Sequence, residues 1–405
     1  MVMAALTNRI DRERLMRVSD GLAVAVAVSL PWSTSATAIL VVAWLLALVP
    51  TLDGPRLRRE IMSPAGGLPV LLFLLGVAGV LWADVSLLER WKGLDSFFKL
   101  LVIPLLLVQF RRSDRGTWVF VGYLYSCLAL LVATAIVMAI PPLSAALMHS
   151  DLVLVKNPAT QSGEFVTCIF GLAYLAIDAF ERRRWWWFAG TLAAILGMLA
   201  NIFFVATGRT ALVVIPVLLA LLALKRLNLR GRVIVFAAAV AVAAIGWFSS
   251  PYLRERTETI WTDLQKYEAT EERNSSGERV EFAVRSIEFI REAPVIGHGT
   301  GSIRALFARA AGPGEAATTN PHNQTFAVAI QLGLVGVAVL WTMWIAHLLL
   351  FRGAGLVAWI GLVVVAQNIV GSLFNSHLFD FTQGWVYVFG VGVAGGMMLK
   401  QRAPP

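Results

Sequence analysis

The residue best suited to acid–base chemistry in this sequence is a histidine that precedes a long apolar segment. Asn320-Pro321-His322-Asn323-Gln324 comes directly before the apolar run from Phe326 to Leu350. Because Asn is a good helix cap and Pro suits the first helical position, the pattern predicts His322 in the first turn of a helix. Unpaired backbone amides there disfavour protonation of the imidazole, and a neutral imidazole can accept a proton. The alternative is an interfacial histidine that only helps to cap the helix.

Two arginines are candidates for binding an anion. Arg209 lies in Thr207-Gly208-Arg209-Thr210 beside an apolar run, and no acidic residue occurs between Glu181 and Glu255. Arg279, unlike Arg285, has no carboxylate at the spacings that give a salt bridge along a helix. Guanidinium groups hold phosphates bidentately, so an arginine without a partner at a membrane surface indicates an anionic ligand. The alternative for both residues is an interfacial anchor that contacts lipid phosphates.

Five other polar residues are possible substrate-binding residues. His377 and Asp380 are three residues apart and share one face if their segment is helical. His298 lies among three alternate glycines, and such a stretch can turn backbone amides towards an anion or form only a tight connection. The remaining two are Lys156 and Asn323. Solvation alone is the alternative for these outer polar groups.

The composition requires that membrane helices position these residues. Hydrophobic residues make up 58% of the 405-residue chain and charged residues only 15%, which excludes a water-soluble globular fold. The net charge of +9 arises from basic clusters at alternate turns, so we interpret it as a topology signal and not as a sign of nucleic-acid binding. The two cysteines form no disulfide or metal-site pattern, and no Asp-x-Asp motif suggests a divalent-metal clamp.

The apolar runs predict an all-α, polytopic membrane protein with about 12 transmembrane helices. The segment from Gly21 to Val49 must cross twice, because one crossing would place the arginines that follow it on the wrong side. Both ends of the chain are then cytoplasmic. We expect helices one to nine in residues 1–248, a large periplasmic loop in residues 249–322 and helices ten to twelve in residues 323–405.

The large loop is predicted to contain an amphipathic helix. Its apolar stripe is expected to pack on the helix bundle or to lie among the lipid headgroups. The stripe consists of Val280, Ala283, Val284, Ile287 and Ile290.

Several stretches of the second half are typical of one protein family. They are the Arg209 turn, Ser276-Gly277-Glu278-Arg279, Ala293-Pro294-Val295-Ile296-Gly297-His298-Gly299, Pro321-His322-Asn323 and Gln331-Leu332-Gly333-Leu334-Val335-Gly336. With these residues the sequence resembles the bacterial O-antigen ligases, which are grouped with the O-antigen polymerases. The resemblance covers about half of the chain, and its motifs identify the group without separating its members.

The resemblance implies a glycosyltransferase of the bacterial inner membrane, embedded in membrane lipids. Such an enzyme moves an O-antigen glycan from undecaprenyl pyrophosphate to a sugar of lipid A-core on the periplasmic face. The acceptor hydroxyl must lose its proton, and His322 is suited to take it. Arg209 and Arg279 can stabilise the charge of the departing pyrophosphate. Without a sign of a metal clamp, we predict an inverting transfer that needs no metal and no cofactor.

Other functions are compatible with the sequence. An O-antigen polymerase uses the same donor with a second lipid-linked glycan as acceptor. A lipid or polysaccharide transporter or flippase predicts ionisable groups near mid-membrane and two related halves, whereas the candidate charges here gather on one face. A non-catalytic scaffold would not explain a histidine that favours its neutral form on the same membrane side as two arginines without carboxylate partners.

Overall fold

The structure is a computed structural model that describes residues 2–147, 153–251, 277–311 and 318–402, together with residues 254, 255 and 258. Within these ranges all regular secondary structure is helical, which confirms the predicted all-α class. Much of the predicted large loop, including Ser276 of its motif, lies outside the described residues.

The helices are numbered here in chain order over the described ranges. The first nine are α1 (Val2–Ser29), α2 (Thr34–Leu48), α3 (Gly54–Ile61), α4 (Pro64–Gly79), α5 (Leu87–Phe98), α6 (Val102–Phe110), α7 (Gly116–Ala139), α8 (Pro141–Leu147) and α9 (Pro158–Glu181). The others are α10 (Trp185–Phe204), α11 (Arg209–Arg226), α12 (Leu229–Ser249), α13 (Gly277–Glu292), α14 (Ile303–Ala310), α15 (Gln324–Leu350), α16 (Leu356–Gly371) and α17 (Phe381–Gln401).

Two of the apolar segments are each divided into two helices. The segment from Gly21 to Val49 forms two helices, because α1 ends at Ser29 and α2 begins at Thr34. The Ser33 side chain caps α2 by accepting a hydrogen bond from an amide of its first turn. A short 3₁₀ turn at Lys99–Leu101 separates α5 from α6, so this crossing is interrupted where the basic residue stands.

The number of membrane crossings is only partly established. Among the described residues, seven helices, some of them formed by adjoining helical segments, are long and apolar enough to cross a membrane. An eighth arises if α3 and α4, which meet at an angle of 81°, are counted as one span. Shorter helices such as α16 raise the total towards the predicted count of about 12. That count, and the periplasmic position of the large loop, stay predictions.

The long helix α15 is broken at Gly333, whereas the sequence predicts a continuous helix. Gly333 has a φ of 63° and a ψ of −162°. The amides of Leu334 and Val335 donate to the carbonyls of Pro294 and Val295, at 2.8 and 3.2 Å. The segment after α13 therefore docks into the break, where a Cβ at Gly333 would overlap the Val295 carbonyl.

The starts of four helices meet on one face of the bundle. The side-chain oxygen of Gln324, at the start of α15, accepts hydrogen bonds from two amides just before α17. Gln383 of α17 donates to the carbonyl of Thr160 in the first turn of α9, at 3.4 Å. The backbone of Gly208, which precedes α11, packs against Ser162 of α9. This surface is called the His322 face below.

Candidate functional site

His322 lies just before helix α15, and the prediction that it sits in the first helical turn is wrong. The helix begins at Gln324, and Asn323 is its cap, since the Asn323 Oδ1 accepts the Phe326 amide at 3.1 Å. His322 has a φ of 54°, a left-handed conformation that a helix does not contain. Asn320, predicted as the cap, instead accepts the His322 amide at 2.9 Å. A side chain that bonds the backbone two residues ahead holds a turn.

The imidazole of His322 packs against the amphipathic helix α13. Its ring stacks on Phe282, with 5.9 Å between the centroids and 15° between the planes. Burial and, second, the positive charge of Arg279 lower the pKa of His322, while the Asn375 side chain raises it. The imidazole therefore favours the neutral form, as predicted. The sequence predicts the unpaired amides of a helix start as the cause. The structure instead shows burial and a neighbouring guanidinium as the causes of the lowered pKa.

Arg279, in the first turn of α13, is brought beside His322 by the packing of that helix. It is exposed, and within the described ranges no carboxylate lies within salt-bridge distance of it. Arg285, six residues further along α13, pairs with Glu288 at 3.3 Å, as its spacing predicts. The guanidinium of Arg279 is thus open to a ligand next to a neutral imidazole.

The face of α13 that packs on the bundle contains only part of the predicted stripe, because Ile290 packs against the cluster of Phe289 and Phe307 whereas other members point away. Phe282, Ser286 and Phe289 face the bundle, and the phenylalanines pack edge-to-face on Phe307 of α14. Of the predicted stripe, Val284 is 52% exposed, and Val280 and Ile287 are also exposed. An apolar row of this kind fits the second expectation, contact with lipid headgroups.

Arg209 lies at a different position on the same face. It is the first residue of α11, is half-buried and follows Gly208, which packs on the start of α9. It has an interaction partner, so it is not the lone cation that the sequence predicts. The backbone of its neighbour Gly208 packs against Ser162 and Ala159 of α9. The structure thus places the Arg209 turn beside the start of α9.

A polar cavity of about 320 Å³ adjoins the His322 turn. Asn320, which holds that turn, is part of its wall, and Ser376 donates to the Asn320 Oδ1 at 2.8 Å. The lining carries charges of both signs, and Glu89 lies 3.8 Å from Lys92 and 3.7 Å from Arg304; such a mixture suits the hydroxyl groups of a sugar. The charged residues of its lining are Glu89, Lys92, Arg304 and Asp380.

Comparison with known proteins gives a match to a family model. Residues 194–341 match the family model described as O-antigen ligase. This match supports assigning the protein to the O-antigen ligase family. The matched range is little more than a third of the chain, and it contains Arg209, Arg279 and His322. A search of the curated proteins finds no match.

The family match and the fold agree on the broad class of the protein. O-antigen ligase and polymerase types of function are supported by the match. The apolar helices fit a multi-pass protein of the inner membrane. The match also confirms the resemblance that the motifs indicate. Two of these motifs, residues 293–299 and residues 331–336, contact each other where the segment after α13 docks against Gly333.

Two of the other candidates within the matched residues have structural partners. His298 Nε2 lies 2.8 Å from the Phe289 carbonyl, which ties the segment after α13 to that helix. The neighbouring amides bond to protein groups, since Gly299 donates to the Gln331 carbonyl and Gly301 to the Gln331 side chain. This stretch forms a tight connection, and the expected anion-binding amides are already in use. Asn323 caps α15.

The remaining three candidates surround the start of α17. Asp380 caps this helix by accepting the Gln383 amide at 2.9 Å, and it borders the polar cavity. His377 is 8% exposed, and burial lowers its pKa to about 4 although Asp380 acts in the opposite direction. Lys156 donates to the Leu30 carbonyl and to Thr382, so it links α1 with α17. These contacts position the helix starts around the site.

The structure adds residues that the sequence did not single out. Phe282 is the ring under His322, and Gln324, fully buried, fixes the loop before α17. Arg304 lies in the cavity lining. The only sequence signal for Phe282 is its place three residues after Arg279, which puts both on neighbouring positions of one helix face.

Proposed function

We propose that the protein is an O-antigen ligase that joins an O-antigen glycan, carried on undecaprenyl pyrophosphate, to lipid A-core at the periplasmic face of the inner membrane. The observation that carries the proposal is that the helix bearing Arg279 packs on His322 through Phe282, beside a polar cavity. The family match to residues 194–341 supports the same class of reaction.

In the proposed reaction His322 is the general base. Its neutral imidazole takes the proton of an acceptor hydroxyl as that oxygen forms a bond to the anomeric carbon of the donor glycan. The bond between the anomeric carbon and the pyrophosphate oxygen breaks, and the electron pair leaves with the lipid pyrophosphate. Attack opposite the leaving group inverts the anomeric configuration.

Arg279 is proposed to contact the departing pyrophosphate. Its guanidinium is exposed next to the imidazole, so an anion bound there lies close to the base. Charge that develops on the leaving group is stabilised by such a fixed cation. Arg209 is proposed to act on the same lipid pyrophosphate from the start of α11, a role that requires the donor to extend along the His322 face.

The polar cavity is proposed to hold acceptor sugars. Asn320, which holds the His322 turn, and Ser376, which donates to it, are part of the cavity wall. The mixture of Glu89, Lys92 and Arg304 in the lining can donate to and accept from sugar hydroxyls and core phosphates.

Purified protein in liposomes, supplied with the lipid-linked donor, tests this function. We expect transfer to lipid A-core, and a loss of about 100-fold or more for His322→Ala, since general-base catalysis contributes that much. Val284→Ala, at an exposed position of α13, is the control and retains transfer. Elongation of a second lipid-linked glycan with no transfer to lipid A-core would identify a polymerase instead.

Metal independence is a separate part of the proposal. It is supported by the lack of an Asp-x-Asp motif in the sequence and by a leaving group that two arginines can stabilise. Transfer measured in EDTA is expected to equal transfer without it. Activity that is lost in EDTA and restored by magnesium or manganese would contradict this part alone.

A further inference from the structure

A basic cavity of about 450 Å³ lies at the opposite end of the bundle from His322. Helix α17 starts beside Asp380 on the His322 face and ends at Gln401, a length of about 30 Å at 1.5 Å per residue. Three chain segments meet at that far end: helix α3, the end of α6 and the end of α17. The basic cavity is lined by Pro55, Arg56, Arg59, Glu60, Val108, Arg111, Arg112 and Lys400.

The lining carries more positive charge than its own carboxylate can balance. Five of the residues are cations and one, Glu60, is acidic. Glu60 is 1% exposed and lies 2.7 Å from Arg111, so it fixes that guanidinium at the cavity floor. Asp53 and Asp114 pair with Arg56 and Lys400, but Asp114 is 90% exposed. Such solvated pairs contribute little.

The surroundings of Arg112 show that the positive charges of this cavity lie close to one another. Its Nη1 donates to the Thr51 carbonyl at 3.4 Å, and no carboxylate among the described residues lies within salt-bridge distance of it. Burial lowers the pKa of the Arg112 guanidinium, and the charges of Arg56 and Arg12 lower it further. An anion between these groups would relieve the repulsion.

The position of the cavity favours a lipid over a soluble anion. Helix α3 meets α4 at 81°, so it runs along the membrane surface if α4 crosses the membrane. Exposed apolar side chains lie before and after it in the chain, with Met62 75% and Val49 55% exposed. Basic pockets between helix ends at headgroup depth are typical binding sites for acidic lipids.

We propose that the basic cavity binds the phosphate group of an anionic phospholipid in the leaflet opposite the His322 face. The guanidinium groups of Arg56 and Arg112 contact the phosphate, while the acyl chains lie along the apolar side chains below α3. This site is separate from the proposed transfer reaction and does not depend on it.

Native mass spectrometry of the full-length protein from mixed micelles tests the proposal. Cardiolipin or phosphatidylglycerol is offered together with phosphatidylcholine, and the retained lipid is counted. We expect the wild type to retain the anionic lipid, and Arg56→Gln with Arg112→Gln to bind it roughly tenfold or more weakly, since each charge near a lipid surface is worth several-fold in affinity.

Two variants control for charge and for folding. Arg183→Gln with Arg184→Gln removes the same charge from an exposed cluster at the end of α9, and it retains wild-type binding. Arg56→Lys with Arg112→Lys keeps the charge and binds more tightly than the glutamine pair. Equal losses in the two glutamine pairs would overturn the proposal, as would displacement of the lipid by millimolar inorganic phosphate.

Discussion

The ring of Phe282 lies parallel to the imidazole of His322, with 5.9 Å between their centroids. Phe282 belongs to α13 and His322 to the turn before α15, so the stack joins the amphipathic helix to the candidate base. The same helix carries Arg279. One packing contact therefore fixes the base relative to the cation that is proposed to hold the leaving group.

Removing this stack should slow transfer. Aromatic pairs of this kind contribute about 0.5–1.5 kcal/mol, so Phe282→Ala is expected to lower kcat about tenfold with a smaller effect on KM. Phe282→Tyr keeps the ring and most of the activity. Val284→Ala, at an exposed position of the same helix, is the control. If both alanine variants behave alike, the stack does not position the base.

The charge of Arg279 should set the acid limb of the pH profile. Because this charge lowers the pKa of His322, Arg279→Gln raises that pKa and moves the fall of kcat/KM at low pH to a higher pH. Arg279→Lys keeps the charge, so its acid limb stays near that of the wild type even if donor binding weakens. The measurement is kcat/KM for the donor from about pH 4 to pH 8. An unshifted limb in the glutamine variant would contradict the coupling.

Burial of His377 should make the protein less stable in acid. Its pKa is about 4 in the folded protein, against 6.5 for an ordinary histidine. Between these values the unfolded chain binds a proton that the folded one does not, so the free energy of unfolding decreases as pH falls through this window. The loss is about 1.4 kcal/mol per pH unit.

The variant His377→Gln removes this proton uptake. Thermal unfolding in detergent at neutral pH and near pH 4.5 should therefore show a smaller decrease in Tm than the wild type shows. His298→Gln keeps His377 and should keep the wild-type decrease. Equal decreases in all three proteins would mean that His377 is protonated without cost.

The break in α15 should depend on glycine. Gly333→Ala places a Cβ against the Val295 carbonyl at a positive φ, which we expect to cost about 1–3 kcal/mol and lower the Tm. Gly171→Ala, in helix α9 with open space around it, is the control and should be neutral or stabilising. A Gly333→Ala protein with the Tm of the wild type would show that the segment after α13 does not need the break.

The helices could be predicted because hydropathy and charge act locally. The division of the Gly21 to Val49 segment into two helices follows from the arginines beyond it. The break at Gly333 could not be predicted in the same way, because its amides are satisfied by carbonyls of Pro294 and Val295 that are distant in sequence.

Residue types at the site could also be predicted, but their geometry could not. The sequence identifies His322 as a neutral histidine near a helix start, yet its turn is held by Asn320, which Ser376 bonds from 56 positions away. The pKa of the ring depends on burial under α13, a tertiary contact. Arg209 has no acidic neighbour in the sequence, and only the fold gives it a partner.

The 294–301 segment docks into α15, so residues that are far apart in the sequence depend on one another. Related sequences should show this dependence as correlated changes. A side chain at position 333 would overlap the Val295 backbone, and one at position 297 would overlap the backbone of Gln331 and Leu332, so these two glycines allow the same close approach. Homologues that lose the glycine at 333 should therefore also lose the one at 297.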